Sequence, residues 1–147
     1  MNPVEILNHH QVKKTALRVS ILKALQESPF PLSEHEIKQQ IGDLYDRTTF
    51  YRSMLTLSGS GIVHKMVADN LLTKYALNHC EHGHHHKVSH VHFYCQNCQM
   101  FYCLDEVPVQ HYLLPEGFNE QQSDVIIKGL CQQCNQKQNP DQILSDY

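Results

Sequence analysis

The chain has 147 residues, 41% of them hydrophobic and 18% charged, which is typical of a folded protein with one ordinary domain or two small ones. No apolar stretch is long enough to cross a bilayer, and the N-terminus lacks the segments of a signal peptide, so we expect a cytoplasmic protein with no membrane partner. The formal net charge of -3 argues against a uniformly basic protein, although the chain up to Ser60 is close to neutral and the later half is acidic.

Two helices are predicted near the start of the chain. Thr15 is a good N-cap residue, and apolar residues recur at spacings of three to five over Ala16–Leu25. Pro29, which a helix interior does not tolerate, ends this helix. The run Ser33–Glu36 is a capping box, so a second and shorter helix to about Gln40 should follow it.

A third helix and a hairpin are predicted next. Asp46 is a good N-cap for a helix that runs towards Leu57, and the small residues Ser58–Gly61 end it. Alternating apolar residues over Ile62–Val67 and Leu71–Leu77 then indicate two strands joined by a turn. Three helices followed by a hairpin is the element order of a winged helix, a variant of the helix-turn-helix.

The remainder is predicted to be a second, smaller domain. Residues 79–89 are polar and rich in histidine, so we interpret them as a hinge loop between a winged-helix domain at 1–78 and a second small domain at 90–147. Within the last segment we predict strands at His90–Tyr94 and Gln99–Leu104 and another strand within Phe118–Leu130. We also predict a short helix at Pro108–Leu114 and a frayed tail from Asn135. The predicted fold class is α+β, with a winged helix followed by a small α/β domain.

Two CxxC pairs are the strongest chemical signal. The six cysteines belong to a chain that we expect in a reducing compartment, where they are more often metal ligands than disulfides. Each CxxC turn presents two thiolates on one side, and two such turns complete a tetrahedral zinc site. A redox role is the alternative, but thioredoxin-type motifs lie at a helix start in a βαβ pattern, which we do not predict. We therefore expect a closed, structural Zn²⁺ site at Cys95, Cys98, Cys131 and Cys134.

Histidine and the remaining cysteines indicate a second metal site. Twelve histidines are present, and His90 and His92, two apart on a predicted strand, should share a face. Together with Cys103 on the next strand, His64 on the hairpin and Cys80 in the loop, they could bind a regulatory Zn²⁺, with Fe²⁺ less favoured. Alternatively, the two strand histidines lie on a solvated surface, or a loop histidine replaces Cys80. Ligands from both domains would let metal occupancy control the angle between them.

These motifs together resemble the ferric uptake regulator (Fur) superfamily, in particular its zinc uptake regulator (Zur) branch. The similarity covers roughly Lys13 to Cys134, with several independent motifs in the family's order. The motifs are an opening helix at Lys14–Leu22, a second helix at Pro31–Ile37, a recognition helix and wing at Thr49–Val63, and the dimerisation-domain motifs at His90–Cys98 and Gly117–Cys134.

The resemblance implies a homodimer with two winged helices on a palindromic double-stranded DNA operator. Metal loading would favour DNA binding, and metal loss would derepress uptake genes. The family's DNA contacts carry over to Lys14 and Arg18 near the backbone and to Thr49, Tyr51 and Arg52 on the recognition helix. By its chemistry Arg52 can reach a base edge or a phosphate, and Tyr51 can contact a thymine methyl group, with core packing as the alternative for Tyr51.

Departures from the family pattern favour zinc. Cys103 stands where the family usually has a carboxylate, and thiolate ligands favour zinc over ferrous iron. The positions of the family's third metal site hold no strong ligand, so we expect that site to be absent; they read Ser89, Val91, Gln110 and Ser123.

We therefore predict a zinc-responsive repressor that is not an enzyme. An iron-responsive or peroxide-sensing regulator is the alternative within the same class. A metal-storage or chaperone protein that uses the histidine-rich loop is an alternative of another class. A zinc hydrolase would need an open coordination position and a general base, and no HExxH-type arrangement is present.

Overall fold

The computed structural model describes residues 1–68, 72–78, 90–121 and 123–138. The chain divides into two compact units, Met1–Lys87 and Val88–Tyr147. Of the predicted site residues, Cys80 lies outside the described residues, as does the predicted hinge loop at 79–89. No helix in the described part of the chain is both long and apolar enough to span a membrane.

The first unit contains four α-helices and one hairpin. In chain order the elements are α1 (Pro3–His9), α2 (Ala16–Glu27), α3 (Glu34–Ile41), a 3-10 turn (Gly42–Leu44), α4 (Arg47–Gly59), β1 (Val63–Val67) and β2 (Thr73–Leu77). Strands β1 and β2 are antiparallel, and Leu32 forms a bridge with Tyr75 that adds a short third strand to the hairpin. The order α2–α3–α4–hairpin is that of the predicted winged helix.

The predicted caps form. Thr15, Ser33 and Asp46 each accept a hydrogen bond from a backbone N–H three residues on, and Ser33 and Glu36 form the reciprocal capping box. Helix α4 runs slightly beyond the predicted end, to Gly59. It terminates because Gly61 adopts a left-handed φ of 75°, which lets the Ile62 N–H bond back to the Leu57 carbonyl at 3.0 Å.

Helix α1 was not predicted from the sequence. It begins with its own capping box, in which Asn2 and Glu5 bond reciprocally, and it buries Leu7 completely. Because Leu7 enters the same core as α2 and α4, α1 is part of the winged-helix unit. The fully buried members of that core, at 0% exposure, are Leu7, Ile21, Leu22, Ile37 and Leu57.

The second unit is a three-stranded sheet with a short terminal helix. Its elements are β3 (His90–Cys95), β4 (Phe101–Pro108), β5 (Val125–Gly129) and α5 (Gln132–Gln138). Strand β3 is central; it pairs antiparallel with β4 and parallel with β5. Tyr94 and Phe101 are buried and their ring centroids lie 4.8 Å apart, at the core of the sheet.

Two predictions for this unit are wrong. No helix forms at 108–114, because β4 continues to Pro108 and the following residues, including Tyr112 and Leu113, expose their side chains instead of burying an apolar helical face. The residues that follow Cys134 are not frayed at once, because α5 continues to Gln138.

Candidate functional site

The sheet topology brings the two CxxC turns together. Strands β3 and β5 are parallel, and Cys95 at the end of β3 is in register with Gly129 at the end of β5. Each CxxC turn follows its strand directly, so both turns meet at the same edge of the sheet. The Gln96 N–H donates to the Gly129 carbonyl at 2.8 Å and fixes the first turn against β5.

Gly129 packs closely against the Phe93 ring. A Cβ atom on this residue would lie 3.3 Å from Cζ of Phe93, which is tighter than ordinary contact. A side chain at this position would therefore require the Phe93 ring to shift by a few tenths of an ångström.

The four cysteine sulfurs form one cluster. The Sγ atoms of Cys95, Cys98, Cys131 and Cys134 all lie within 4.8 Å of one another, and Sγ of Cys98 is 3.8 Å from Sγ of Cys131. A tetrahedral ion with metal–sulfur bonds of about 2.3 Å requires sulfur–sulfur distances of about 3.8 Å. Cys98 is exposed and the other three are buried. The four sulfurs therefore need little rearrangement to bind a four-coordinate metal ion.

Hydrogen-bond donors surround the sulfurs. The backbone N–H of Cys131 donates to Cys95 at 3.3 Å, and Nδ2 of Asn97 donates to Cys134 at 3.2 Å. The Tyr102 hydroxyl donates to Cys131. Donors of this kind stabilise the thiolate form that binds metal, and they orient each ligand.

The pKa values of the clustered cysteines are shifted in opposite directions. Burial raises the pKa of Cys95, but backbone N–H groups of the two turns outweigh burial and lower it to about 6. The hydrogen bond from Tyr102 lowers the pKa of Cys131. Burial and the neighbouring sulfurs instead raise the pKa of Cys98 to about 12. Four thiolates cannot share this volume without a cation, which is why one sulfur keeps its proton while another loses it.

A four-sulfur cluster with a metal ion bound has no open coordination position. Such a site stabilises a fold and does not activate water. Its partly buried aromatic neighbours, Phe93 and Tyr102, pack against the cysteines and add to the small core of this unit.

Two further residues that can bind metal, a histidine and a cysteine, face each other across β3 and β4. His92 and Cys103 are directly opposite each other in the antiparallel register, and their potential ligand atoms lie within 4.8 Å of each other. His92 is only 6% exposed. Burial and the Asp105 carboxylate raise the pKa of Cys103 to about 11, so without a cation the thiol is protonated at neutral pH.

The other predicted members of this second set are distributed along the chain. The backbone of His90 pairs with Pro108 at an irregularity in the β3–β4 register, and its side chain lies outside what the structure describes. His64 lies on β1 of the first unit, paired with Ala76. Cys80 lies outside the described residues.

Helix α4 presents the predicted nucleic-acid contacts. Tyr51 is 63% exposed, so it does not pack in the core; that role belongs to its neighbour Phe50, at 2%. Arg52 is also exposed. The helix contains no acidic residue, so its exposed face carries only positive and neutral groups.

Two of the predicted DNA contacts, Thr49 and Arg18, have intramolecular roles. The Thr49 hydroxyl donates to Asp46 at 2.6 Å as part of the helix cap. The Arg18 guanidinium donates to the Lys13 carbonyl at 2.8 Å and to the Thr56 hydroxyl at 3.2 Å, and so it ties the start of α2 to α4. Lys14 is exposed.

Sequence reasoning missed Asn97 and Tyr102. Both donate to cysteine sulfurs. Asn97 could have been suspected because it lies inside a CxxC turn. No sequence signal marks Tyr102, because its approach to Cys131 depends on how β4 packs against the second turn.

Comparison with known proteins shows the family. A family match to the Ferric uptake regulator family covers residues 9–111. No curated protein matches the sequence significantly.

Several solved structures share the fold. A zinc uptake regulator in complex with zinc and DNA is 17% identical, with a TM-score of 0.68 over 92% of this chain and 91% of that chain. Holo XcZur is 18% identical, with a TM-score of 0.63 over 89% and 92% of the two chains. The Helicobacter pylori ferric uptake regulator Fur, described with three functional metal-binding sites, is 16% identical, with a TM-score of 0.57 over 90% and 88%. The chain therefore belongs to the ferric uptake regulator family, whose members are metal-responsive transcription regulators and not enzymes.

Proposed function

We propose that the protein is a zinc-responsive transcriptional repressor of the cytoplasm that binds palindromic operators of metal-uptake genes as a metal-loaded homodimer. The observation that carries the choice of zinc is the pairing of His92 with Cys103 across β3 and β4, which offers nitrogen and sulfur to a second ion. Sulfur and imidazole together suit zinc, whereas ferrous iron prefers a set with carboxylate.

In this proposal the four-cysteine cluster holds a structural Zn²⁺. Its donors are all sulfur, its Cys98–Cys131 separation matches a tetrahedral edge, and hydrogen bonds already support the thiolates. The ion links the two ends of the second unit, which we propose is the dimerisation and metal-binding domain, residues 90–147.

The regulatory ion binds a second set of ligands, His64, Cys80, His90, His92 and Cys103. The set takes His64 from the winged-helix domain, residues 1–78, and Cys80 from the hinge at 79–89. Ion binding then favours those arrangements of the two domains in which all ligands can reach the metal, and so it shifts the population towards a DNA-binding form. The zinc uptake regulator with a similar fold was solved with zinc and DNA, which supports this coupling.

Helix α4 reads the operator. Arg52 and Tyr51 are exposed and chemically suited to base edges and thymine methyl groups. Lys14, just before α2, and Arg18, in the first turn of α2, contact the phosphates. Thr49 contacts the operator through its methyl group, because its hydroxyl proton is used in the cap and phosphate oxygens only accept hydrogen bonds.

The test is operator binding at controlled metal levels. An operator is selected from a random duplex pool with zinc-loaded protein, and its affinity is measured by fluorescence anisotropy at buffered free Zn²⁺ and, anaerobically, at buffered free Fe²⁺. We expect binding to rise with zinc. A response to iron alone would favour the iron-responsive alternative, and many weakly bound ions with no DNA affinity would favour storage.

The Cys103→Ser variant tests the regulatory site. It should remain a folded dimer that keeps one zinc per chain by elemental analysis, because the four-cysteine cluster is intact, and it should lose the zinc dependence of operator binding. Normal zinc-dependent affinity in this variant would contradict the assignment of Cys103 as a sensing ligand.

A further inference from the structure

The exposed face of α4 carries two large apolar side chains in one line. Tyr51 and Leu55 are four residues apart and are 63% and 57% exposed. Residues at this spacing lie one turn apart on the same face of a helix, about 40° from each other around the axis. Together they form a continuous apolar strip, which we call the α4 strip.

Polar and basic side chains flank the α4 strip. Thr48 and Arg52 lie on one side of it and Arg47 on the other, about 20° to 60° around the helix axis from the nearer of its two residues. All three are exposed, and α4 contains no acidic residue. Phe50, Met54 and Leu57 are buried and anchor the helix in the core. An apolar line between arginines suits a partner that is negatively charged at its edges and apolar along its middle.

We propose that Leu55 is a specificity-determining residue that contacts the C5-methyl group of a thymine in the operator. Because Leu55 lies one turn of α4 beyond Tyr51, this thymine is a different base from the one that Tyr51 contacts. This inference rests on the proposed function, since it needs DNA in contact with α4. The major groove of DNA has this chemistry, with phosphates on both walls and thymine methyl groups as its apolar features. Leu55 has no hydrogen-bonding group, so it can distinguish bases only through that methyl group.

The experiment removes the methyl group without altering the base pair. Deoxyuridine in place of thymidine keeps the pairing and the groove acceptor while it deletes the C5-methyl group. In the operator selected with zinc-loaded protein, each thymidine is replaced singly, and affinities are measured for wild type and Leu55→Ala. Burial of one methyl group corresponds to about a fourfold change in affinity.

We expect wild type to lose about fourfold in affinity at thymidines contacted by the α4 strip. Leu55→Ala should lose this sensitivity at one thymidine and keep it at the thymidine contacted by Tyr51. Because Leu55 is exposed and alanine is a good helix former, the variant should fold, which a thermal melt checks.

Leu44→Ala is the matched control. Leu44 is also an exposed leucine, at 46%, in the turn that precedes α4. This variant should keep the full uridine sensitivity whatever its overall affinity.

Two failures are distinguishable. If wild type binds the operator but no uridine substitution weakens it, or if Leu55→Ala keeps the complete wild-type pattern, the role of Leu55 is overturned while the repressor proposal stands. If zinc-loaded protein selects no operator, the proposed function itself fails.

Discussion

Removal of the metal from the four-cysteine cluster should unfold the second unit while the winged-helix unit remains folded. Among its described residues the second unit has few buried apolar side chains, chiefly Val91, Tyr94 and Phe101 beside the cysteines. By contrast, the winged-helix unit has its own larger core that contains no metal ligand of this cluster. A small unit with so little core depends on a cross-link.

The expected loss of stability follows from the length of the loop that the metal closes. Cys98 and Cys131 are 33 residues apart in sequence. A permanent link across a loop of this length lowers the entropy of the unfolded chain by an amount worth about 4 kcal/mol at room temperature. With a urea dependence of about 2 kcal/mol per molar, the unfolding midpoint of this unit should fall by about 2 M.

The assay compares urea unfolding of zinc-loaded protein, protein treated with a strong chelator, and Cys95→Ser, at one protein concentration. Chelated protein and Cys95→Ser should unfold the second unit early and lose the dimer by light scattering. Cys103→Ser is the matched control, because it removes a cysteine outside the cluster, and its midpoint should fall much less than that of Cys95→Ser. If chelated and loaded proteins unfold at the same urea concentration, the cluster does not support the fold and the reasoning fails.

Two further predictions concern the winged-helix unit. Arg52→Ala should weaken operator binding by about 1–3 kcal/mol while zinc content stays unchanged, because Arg52 is exposed and is not a predicted metal ligand. Lys23→Ala, which removes an exposed lysine paired with Glu27, is the control and should bind as wild type does. Glu36→Gln should lower the free energy of unfolding at neutral pH by about 1–2 kcal/mol, because Lys74 loses a carboxylate 2.5 Å away. The Lys74 side chain is only 11% exposed, but that of Glu36 is 42% exposed, and solvent there screens part of the interaction. Burial raises the pKa of Glu36, but Lys74 and Ser33 outweigh it and lower the pKa below 4.5. The stabilisation is therefore complete above about pH 4.5 and is lost as the pH falls through the lower folded value, so the difference in melting temperature between wild type and Glu36→Gln should narrow in acid. A difference that stays constant from pH 7 to pH 3 would contradict this account, and release of zinc in acid affects both proteins alike.

The sequence by itself determined the local elements and the chemical character of the sites. Thr15, Ser33 and Asp46 start their helices because a short polar side chain can satisfy backbone N–H groups wherever it precedes an apolar, periodic run. The CxxC turns are likewise local, since two cysteines so spaced present both sulfurs on one side. The family resemblance depends on these same local motifs and their order.

Only the tertiary structure decided which residues meet. The parallel pairing of β3 with β5 brings two distant CxxC turns to one edge, and no residue of either strand specifies that pairing alone. Tyr102 reaches the Cys131 sulfur for the same reason. Tertiary packing also decided two helices. Helix α1 forms where Leu7 is buried in a core, whereas no helix forms at 108–114, where Leu113 is exposed. Burial is a property of the assembled chain, because a side chain leaves water only when residues distant in sequence close over it.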